Sequence, residues 1–353
     1  MEYLELYRQD EFPVFQNRMY DSVAEARGCP RGDIRIVQDA ETGLVHNAAF
    51  DPSLMHYDSA YQNEQGLSAQ FDAHLDRIAD LVLALLGTEG LVEVGCGKAL
   101  FLDKLRRRGA DITGFDPAYE GDDPTILRRV FVEDLGIRSR GLILRHVLEH
   151  IDDPVAFLFR LAAANGHQGL IYIEVPCLDW ILENRAWFDF FYEHVNYFRL
   201  SDFRRIFGRT LYLGRSFNGQ YLTVIGDLAS LRRPAFHPDD KVVIPEPFLP
   251  EPHAFSANAE RQTVIWGGAS KGVIFSLLRE RAGTPVARVI DINPRKQGKY
   301  LAATGLKVEA PQTVLGDLAE GAEILVMNPN YLEEIREMGG PKFQYRAIND
   351  GGV

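Results

Sequence analysis

One stretch, residues 90–116, limits the possible fold more than any other part of the chain. An apolar strand is predicted over Leu91–Val94, Gly95 and Gly97 follow at once, and a helical pattern then leads to a second strand that ends at Asp116. Glycine lets the backbone turn tightly and lets a ligand approach it closely. Strand, glycine turn, helix and strand in this order form half of a doubly wound α/β sheet.

The same stretch fits more than one kind of ligand. A dinucleotide site has the glycine spacing G-x-G-x-x-G, but Leu100 stands at the sixth position here. The carboxylate of Glu93, just before the first glycine, suits a cationic ligand and would repel a pyrophosphate. Asp116 stands where an acidic side chain binds ribose hydroxyls. A nicotinamide site is therefore disfavoured, and a strand turn of this type without any ligand stays open.

The stretch resembles motif I of the class I S-adenosylmethionine (SAM)-dependent methyltransferases, Glu/Asp-x-Gly-x-Gly-x-Gly, with alanine at the last glycine position. The resemblance implies a doubly wound Rossmann-like domain that binds SAM and releases S-adenosylhomocysteine. It further implies that Gly95 and Gly97 contact SAM, that Glu93 organises the loop near the methionine end, and that Asp116 binds the ribose.

A second segment, residues 146–154, follows the strand predicted over Gly141–Leu144 and resembles the H-x-L-E-H-x-x-D-P segment of the same enzymes. Ligands of α/β sheets lie outside the carboxyl ends of the strands, so His146 and Glu149 are expected at the cofactor. His146 and His150 also have the spacing of a metal pair. No further ligand cluster supports a metal in the sequence, so a structural or cofactor-edge role is favoured and no metal is predicted.

The composition excludes several classes of protein. The net charge of −12 over 353 residues argues against a nucleic-acid-binding surface. No apolar run approaches the length of a membrane span, and no signal peptide is recognised at Met1–Glu11. The three cysteines are far apart and odd in number, which predicts neither disulfides nor a cysteine zinc site. These features predict a soluble cytoplasmic protein and leave the oligomeric state open. The resemblance to methyltransferases implies a small-molecule acceptor.

Four segments are predicted along the chain: an N-terminal module (1–66), a SAM domain (67–230) that begins with a helix over Ser68–Leu86, a proline-rich linker (231–260) and a second Rossmann-like domain (261–353). The last segment repeats the pattern of strand, glycine turn and helix. Within the SAM domain, Ser201 or Asp202 is predicted to cap a helix.

Two further segments narrow the resemblance. Residues 190–198 resemble the I-Y-H-E-H-x-x-Y-F segment of the deoxysugar C-methyltransferases, which act on nucleotide-linked 4-keto sugars in secondary metabolism. Residues 289–301 resemble the D-x-N-P-x-K-Q-G-x-x-L-P-G segment of that family's C-terminal domain. Residues 266–272 and 328–335 match its G-A-x-A-K-G and W-N-Y-x-x-E-I segments. This resemblance runs from about residue 10 to residue 336.

Three departures from that family stand out. The family opens with a zinc module of two Cys-x-x-Cys pairs, whereas residues 12–15 and 39–42 occupy those places without cysteine. Phe191 and Tyr192 replace a Tyr-His pair, and Ala302 and Ala303 replace a Pro-Gly pair. The zinc is therefore predicted to be lost, with the module held by apolar packing instead, and the sugar substrate is put in doubt.

Methylation of a carbon next to a ketone needs a base for the carbon-bound proton and a donor for the enolate oxygen. The resemblance assigns the base to His194, since histidine titrates near neutrality. Glu193 is expected to orient it, and Tyr57 or Tyr61 to stabilise the oxyanion. The expected substrate contacts are Tyr192, Asn196, Gly267, Gly268, Lys271 and Lys296.

Alternative functions remain open at this point. One is an O- or N-methyltransferase that acts on a different small molecule. Another is a non-catalytic protein that binds SAM or a nucleotide, which the alanine at the third glycine position permits. A core histidine in an aromatic cluster is the corresponding alternative for His194.

Overall fold

The computed structural model describes residues 3–55, 68–132, 136–249 and 263–349. The strands are β1 (Tyr3–Pro13), β2 (Arg31–Asp39), β3 (Val45–Asn47), β4 (Leu91–Val94), β5 (Ile112–Phe115), β6 (Ile126–Leu127), β7 (Gly141–Arg145), β8 (Leu170–Pro176), β9 (Asn196–Tyr197), β10 (Thr210–Ser216), β11 (Tyr221–Asp227), β12 (Val264–Trp266), β13 (Arg288–Ile290), β14 (Val308–Glu309), β15 (Glu323–Val326) and β16 (Gln344–Ala347).

The helices are α1 (Val23–Arg27), α2 (Ala69–Leu86), α3 (Leu100–Arg107), α4 (Pro154–Ala164), α5 (Leu178–Glu183), α6 (Leu200–Ile206), α7 (Lys271–Arg281), α8 (Pro311–Asp317) and α9 (Leu332–Gly339). A short 3-10 helix over Leu148–His150 follows β7. None of the helices in the described ranges is both long and apolar enough to cross a membrane.

The central sheet has the strand order β10-β11-β8-β7-β4-β5-β6. Strands β8, β7, β4, β5 and β6 are parallel to one another. Strand β11 is antiparallel to both of its neighbours, β8 and β10. Alternate residues of its strands enter two separate apolar clusters: Leu91 and Ile143 pack towards α2 and α3, whereas Val92 and Leu142 pack on the opposite face. Both faces are covered, as in doubly wound folds. The strand order reverses at β4, because β5 and β6 follow on one side of it and β7 on the other. A ligand is therefore expected in the crevice at the carboxyl end of β4.

A second parallel sheet has the order β14-β13-β12-β15-β16. Here the reversal occurs at β12, whose carboxyl end runs into Gly267. The protein is therefore an α/β protein with two sheets that contain parallel strands, and each sheet has its own crevice at the carboxyl end of a central strand.

The third sheet is antiparallel and joins the N-terminal residues to the central part of the chain. Its order is β1-β2-β3-β9, and β9 begins two residues after His194. Phe12 and Val14 are buried, and the Asp39 carboxylate accepts hydrogen bonds from the turn that follows β2. Apolar packing and a hydrogen-bonded turn thus occupy the places of the expected cysteine pairs.

The predicted cap of one helix needs correction. Helix α6 begins at Leu200 with Arg199 as its N-cap, so neither Ser201 nor Asp202 is the N-cap. Asp202 stands at the third helical position and accepts a hydrogen bond from the Arg199 backbone at 2.7 Å, as in a capping box. The proline-rich segment stays a predicted linker. Where it is described, up to residue 249, Val242 and Phe248 are buried, and Phe248 packs edge-on against Tyr7.

Candidate active site

One cavity of about 400 Å³ lies where the carboxyl ends of both parallel sheets meet. Residues that follow β4, β7, β12, β13 and β15 line it, and the N-terminal segment adds Asn17. The predicted site residues on its walls are Glu93, Gly95, Gly97, His146, Glu149, Glu193, His194, Gly267, Lys271 and Lys296. The volume is in the range typical of small-molecule sites.

The first glycine turn requires glycine for steric reasons. Gly95 has φ +74°, and a Cβ atom there would lie 2.4 Å from the side chain of Val147. Gly97 donates its backbone N–H to Asp116 Oδ2 at 2.7 Å. Asp116 itself lies behind the turn and does not line the cavity, and its other oxygen accepts from Ala118 N. The Asp116 carboxylate would therefore accept hydrogen bonds from ribose hydroxyls in addition to those that it accepts from the backbone of Gly97 and Ala118.

Glu93 is a buried carboxyl group at the floor of the cavity. It is 2% exposed, and its Oε2 has no hydrogen-bond partner among the described residues. Burial raises the pKa of Glu93 to about 8, although Arg145 opposes this rise. An orphaned carboxyl oxygen at low dielectric favours a cationic partner. The residues around the turn therefore fit the cationic methionine end of SAM better than a pyrophosphate.

We expect Glu93→Gln to flatten the decline of stability with rising pH. A carboxyl group with a raised folded-state pKa binds its proton more tightly in the folded state. Its contribution is therefore complete below about pH 4.5 and is lost as the pH rises towards about 8. The slope is about 1.4 kcal/mol per pH unit for one proton, and glutamine does not titrate. Urea unfolding of both proteins between about pH 5 and about pH 8 measures the difference.

The matched control is Glu89→Gln, because Glu89 precedes the same strand and its side chain is 79% exposed. Its stability should follow that of the wild type at every pH. Parallel pH profiles for the wild type and Glu93→Gln would show that Glu93 is ionised normally in the folded protein.

A buried network of ion pairs includes two residues of the cavity wall, Arg145 and His146. Glu174, on β8, is fully buried and contacts Arg145 at 2.7 Å, His74 at 3.1 Å and the Tyr172 hydroxyl at 2.9 Å. Burial alone would raise the pKa of Glu174, but Arg145 and the histidines outweigh it and hold the pKa well below its usual range. Glu174 therefore remains an anion.

His146 extends this network to the cavity wall. Its Nδ1 lies 3.2 Å from Glu149 Oε1 and its Nε2 3.2 Å from Glu174 Oε1. Burial would lower the pKa of His146, but the two carboxylates outweigh it and raise the pKa to about 9. Its backbone has φ +51°, a strained conformation for a residue with a side chain. His146 is thus a cation held between two carboxylates at the cavity edge.

His194 also lines the cavity, packed edge-on against Phe191 and His150 at ring distances of 5.0 and 4.9 Å. Burial, together with His150, His146 and Lys271, holds the pKa of His194 well below its ordinary value. Its imidazole is therefore neutral at neutral pH. The Glu193 carboxylate accepts from the Gln16 backbone at 3.3 Å, and the Glu193 carbonyl accepts from His150 Nδ1 at 2.8 Å.

The second glycine turn repeats the geometry of the first. Gly268 donates its N–H to Asp291 Oδ2 at 2.9 Å, as Gly97 does to Asp116. Lys296 lies 3.3 Å from the same carboxylate oxygen. Lys271, at the start of α7, is paired with Asp189 and lies 5.1 Å from the ring of Trp180.

The structure does not bring every predicted residue to the cavity. The Tyr192 hydroxyl accepts from Asp51 N at 2.8 Å and its ring packs on the N-terminal sheet. Asn196 donates to the Ile151 carbonyl at 2.6 Å. Both side chains thus hold neighbouring segments instead of lining the cavity. Gly268 does not line the cavity, and its N–H is bonded to Asp291. Tyr57 and Tyr61 lie outside the described residues.

Several lining residues were not predicted from the sequence. They are Asn17, Arg145, Asp189, Gln220, Tyr221 and Trp266. Arg145 and Trp266 are the last residues of β7 and β12, so the rule that ligands lie at carboxyl ends of strands would have found them. Asn17 reaches the cavity only through long-range folding, and no local pattern marks it.

Comparison with known proteins bears on the class of the central part of the chain. Residues 67–210 match the family model described as a methyltransferase domain. This part of the chain is therefore similar to methyltransferase domains. SAM as the cofactor agrees with the cationic preference of the cavity floor at Glu93.

The matching relatives cover parts of the chain only. The C-methyltransferase NovU of Streptomyces niveus is 28% identical over 150 residues, which are 38% of this chain and 36% of that protein. The ubiquinone biosynthesis O-methyltransferase of Rhodopseudomonas palustris (strain TIE-1) is 30% identical over 107 residues, 26% of this chain and 42% of that protein. The chain thus spans less than half the length of these curated relatives.

A solved structure is also similar to part of the chain. It is the magnesium protoporphyrin IX methyltransferase of Synechocystis PCC 6803 with bound SAH, which is 18% identical. The alignment covers 45% of this chain and 83% of that chain, with a TM-score of 0.34.

Proposed function

We propose that this protein is an enzyme that transfers the methyl group of SAM to a carbon next to a carbonyl, with a nucleotide-linked keto-deoxysugar or a related secondary metabolite as acceptor. The observation that carries the proposal is the shared cavity. The glycine turn of the methyltransferase domain, the neutral His194 and the second glycine turn all line it. Cofactor, base and acceptor would then meet in one enclosed space.

The cofactor half of the proposal rests on the first glycine turn. SAM supplies an electrophilic methyl group when bound. Gly95 and Gly97 leave room for it at the carboxyl end of β4, Glu93 offers an unpaired carboxyl oxygen to its cationic end, and Asp116 offers a carboxylate to its ribose. His146 and Glu149 form the adjoining edge of the cavity.

The base is assigned to His194. A neutral imidazole has a free lone pair that accepts the carbon-bound proton. The aromatic ring of Phe191 packs against it, which keeps water away. Glu193 fixes the adjoining chain through Gln16 and His150, and so acts as a positioning residue. The proposed oxyanion donors, Tyr57 and Tyr61, stay predictions.

The acceptor's nucleotide portion is assigned to the C-terminal sheet, as a second Rossmann-like domain over residues 261–353. Lys271 and Lys296 line the cavity and are paired with Asp189 and Asp291. A bound phosphate would attract both ammonium groups. The backbone of Gly267 borders the same space. This assignment and the four-part division of the chain remain part of the proposal.

Oxygen or nitrogen methylation is the second candidate, and the similarity to ubiquinone biosynthesis O-methyltransferases favours testing it. Turnover with nucleotide-linked keto sugars, followed by NMR of the product, shows which atom carries the new methyl group. Deuterium exchange at the acceptor carbon without SAM is expected only for carbon methylation. Calorimetric titration with NAD tests the nicotinamide alternative. SAM binding in calorimetry without turnover of any acceptor would support the non-catalytic alternative.

We expect Asp116→Ala to weaken SAM binding by about 1–3 kcal/mol, since the ribose hydroxyls would lose their acceptor. Calorimetric titration with SAM measures the change. Asp122→Ala, an exposed aspartate in the loop after β5, is the control and should bind SAM as the wild type does. Unchanged affinity in a folded Asp116→Ala protein would remove Asp116 from the site.

A further inference from the structure

Three potential metal ligands converge on the cavity wall. Glu149 and His150 lie on the 3-10 helix that follows β7, and His194 lies in the loop before β9. Each offers one ligand atom, and these atoms lie within 4.8 Å of one another. All three residues line the cavity. The sequence indicated no metal because only His146 and His150 were adjacent enough to suggest one, whereas the folded chain pairs His150 with His194.

The protonation of His150 follows from its partner. Its Nδ1 lies 2.8 Å from the Glu193 backbone carbonyl. A carbonyl oxygen only accepts, so Nδ1 carries a proton, and in the neutral form of the ring the lone pair is on Nε2. Metal-binding histidines almost always donate their other ring N–H to a carbonyl or carboxylate in this way. His150 is therefore held in the tautomer of a metal ligand.

Glu149 provides the second, independent observation. Its side chain is 1% exposed, and Oε1 is 3.2 Å from His146 Nδ1. Its Oε2 is buried without a hydrogen-bond partner in the part of the chain that the structure describes. Leaving a buried carboxylate oxygen unpaired costs free energy. A cation coordinated by Oε2 would remove that cost.

His194 completes the set. Its ring packs edge-on against that of His150 with the ring centres 4.9 Å apart, and one of its ring nitrogens lies within 4.8 Å of the ligand atoms of Glu149 and His150. Two imidazoles and one carboxylate are a frequent ligand set of zinc sites that keep one position open. Zinc lies about 2.0–2.2 Å from such ligands, so small side-chain rotations are needed to close the set.

We propose that Glu149, His150 and His194 bind one divalent cation of the zinc class, with an open coordination position that faces the cavity. This site goes beyond the proposed methyl transfer and does not depend on it. Each imidazole has one available lone pair, so His194 binds the cation or accepts a proton, but not both. The cation-loaded and base-competent proteins are then alternative states of one cavity.

The test uses the full chain without SAM or acceptor, which separates this proposal from the proposed function. Metal-free protein is titrated with Co²⁺ and followed by visible absorption, and Zn²⁺ is then added. One Co²⁺ per chain is expected, displaced by Zn²⁺ because zinc binds such sites more tightly. His150→Asn retains a donor for the Glu193 carbonyl and removes the ligand nitrogen. His150→Asn, His194→Asn and Glu149→Gln should each weaken Co²⁺ binding by at least about 10–100-fold. That is the loss typical when a residue that only orients a metal ligand is replaced.

The control is His237→Asn, a histidine whose side chain is 66% exposed and whose loss should leave Co²⁺ binding unchanged. Circular dichroism checks the fold of each variant, and the wild-type titration and His150→Asn decide the matter if Glu149→Gln does not fold. The absence of saturable Co²⁺ binding by the wild type overturns the proposal. Binding that survives all of the ligand substitutions, or that is lost in His237→Asn, also overturns it.

Discussion

Replacing His194 with asparagine is expected to lower turnover by about 10²–10⁴-fold, the usual contribution of a general base, while SAM binding stays unchanged. Asparagine cannot accept a proton, but it is polar and smaller than histidine, so the aromatic wall formed by Phe191 is retained. SAM affinity is expected to stay the same because His194 is not among the residues assigned to the cofactor. Single-turnover rates and calorimetry with SAM measure the two quantities separately.

Deuterium exchange makes this prediction specific to carbon methylation. The wild-type protein should exchange the acceptor's carbon-bound proton without SAM, and His194→Asn should not. His167→Asn is a suitable control: His167 is exposed and has φ +56°, a conformation that asparagine tolerates well. Full exchange and full turnover in His194→Asn would mean that another group is the base.

The low pKa of His194 also sets the direction of the pH dependence. Burial, His150, His146 and Lys271 all disfavour the imidazolium. The neutral base is thus fully present at neutral pH and is lost only when the pH falls well below 6.5, its ordinary value. A base that is hard to protonate is also a weak one. Acceptor binding near Glu149 and Glu193 would then have to favour the protonated ring during the reaction.

The local sequence pattern was sufficient to predict those elements that are formed by contacts between residues close in sequence. Strand β4 has the predicted bounds Leu91–Val94, and helix α2 begins one residue after Ser68 and ends at Leu86. The Ser68 hydroxyl accepts from Phe71 N at 3.2 Å, and apolar residues repeat along one face of the helix. Such signals lie within one turn of helix or one strand, so sequence contains them directly.

Contacts between distant segments could not be predicted in this way. The cluster of Glu149, His150 and His194 forms because β9 joins the N-terminal sheet and brings its preceding loop beside the end of β7. Tyr192 and Asn196 were expected at the cavity because they flank His194. The side chain of Tyr192, in the loop, contacts Asp51 instead, and that of Asn196, at the start of β9, contacts Ile151. Side-chain direction in a loop depends on these remote partners and not on spacing.

The second large effect concerns stability. Arg145→Met is expected to destabilise the folded protein by about 3–5 kcal/mol, the cost of removing one member of a buried ion pair. Arg145 is the guanidinium partner of Glu174 at 2.7 Å, and Glu174 is fully buried. Methionine retains the apolar contact with the ring of Phe101, over which the guanidinium now lies at 4.6 Å. His74 and His146 cannot replace the lost bond because each already contacts Glu174.

Arg140→Met tests the same substitution at the other end of β7. Arg140 pairs with Glu89, and the two side chains are 71% and 79% exposed, so its loss should change stability by no more than about 1 kcal/mol. Urea unfolding followed by tryptophan fluorescence compares the two variants under identical conditions. A loss below about 1 kcal/mol for Arg145→Met would mean that Glu174 takes up a proton when the guanidinium is removed. The carboxylate would then remain an anion only because Arg145 is present, and the elevated pKa of His146 would depend on the same residue.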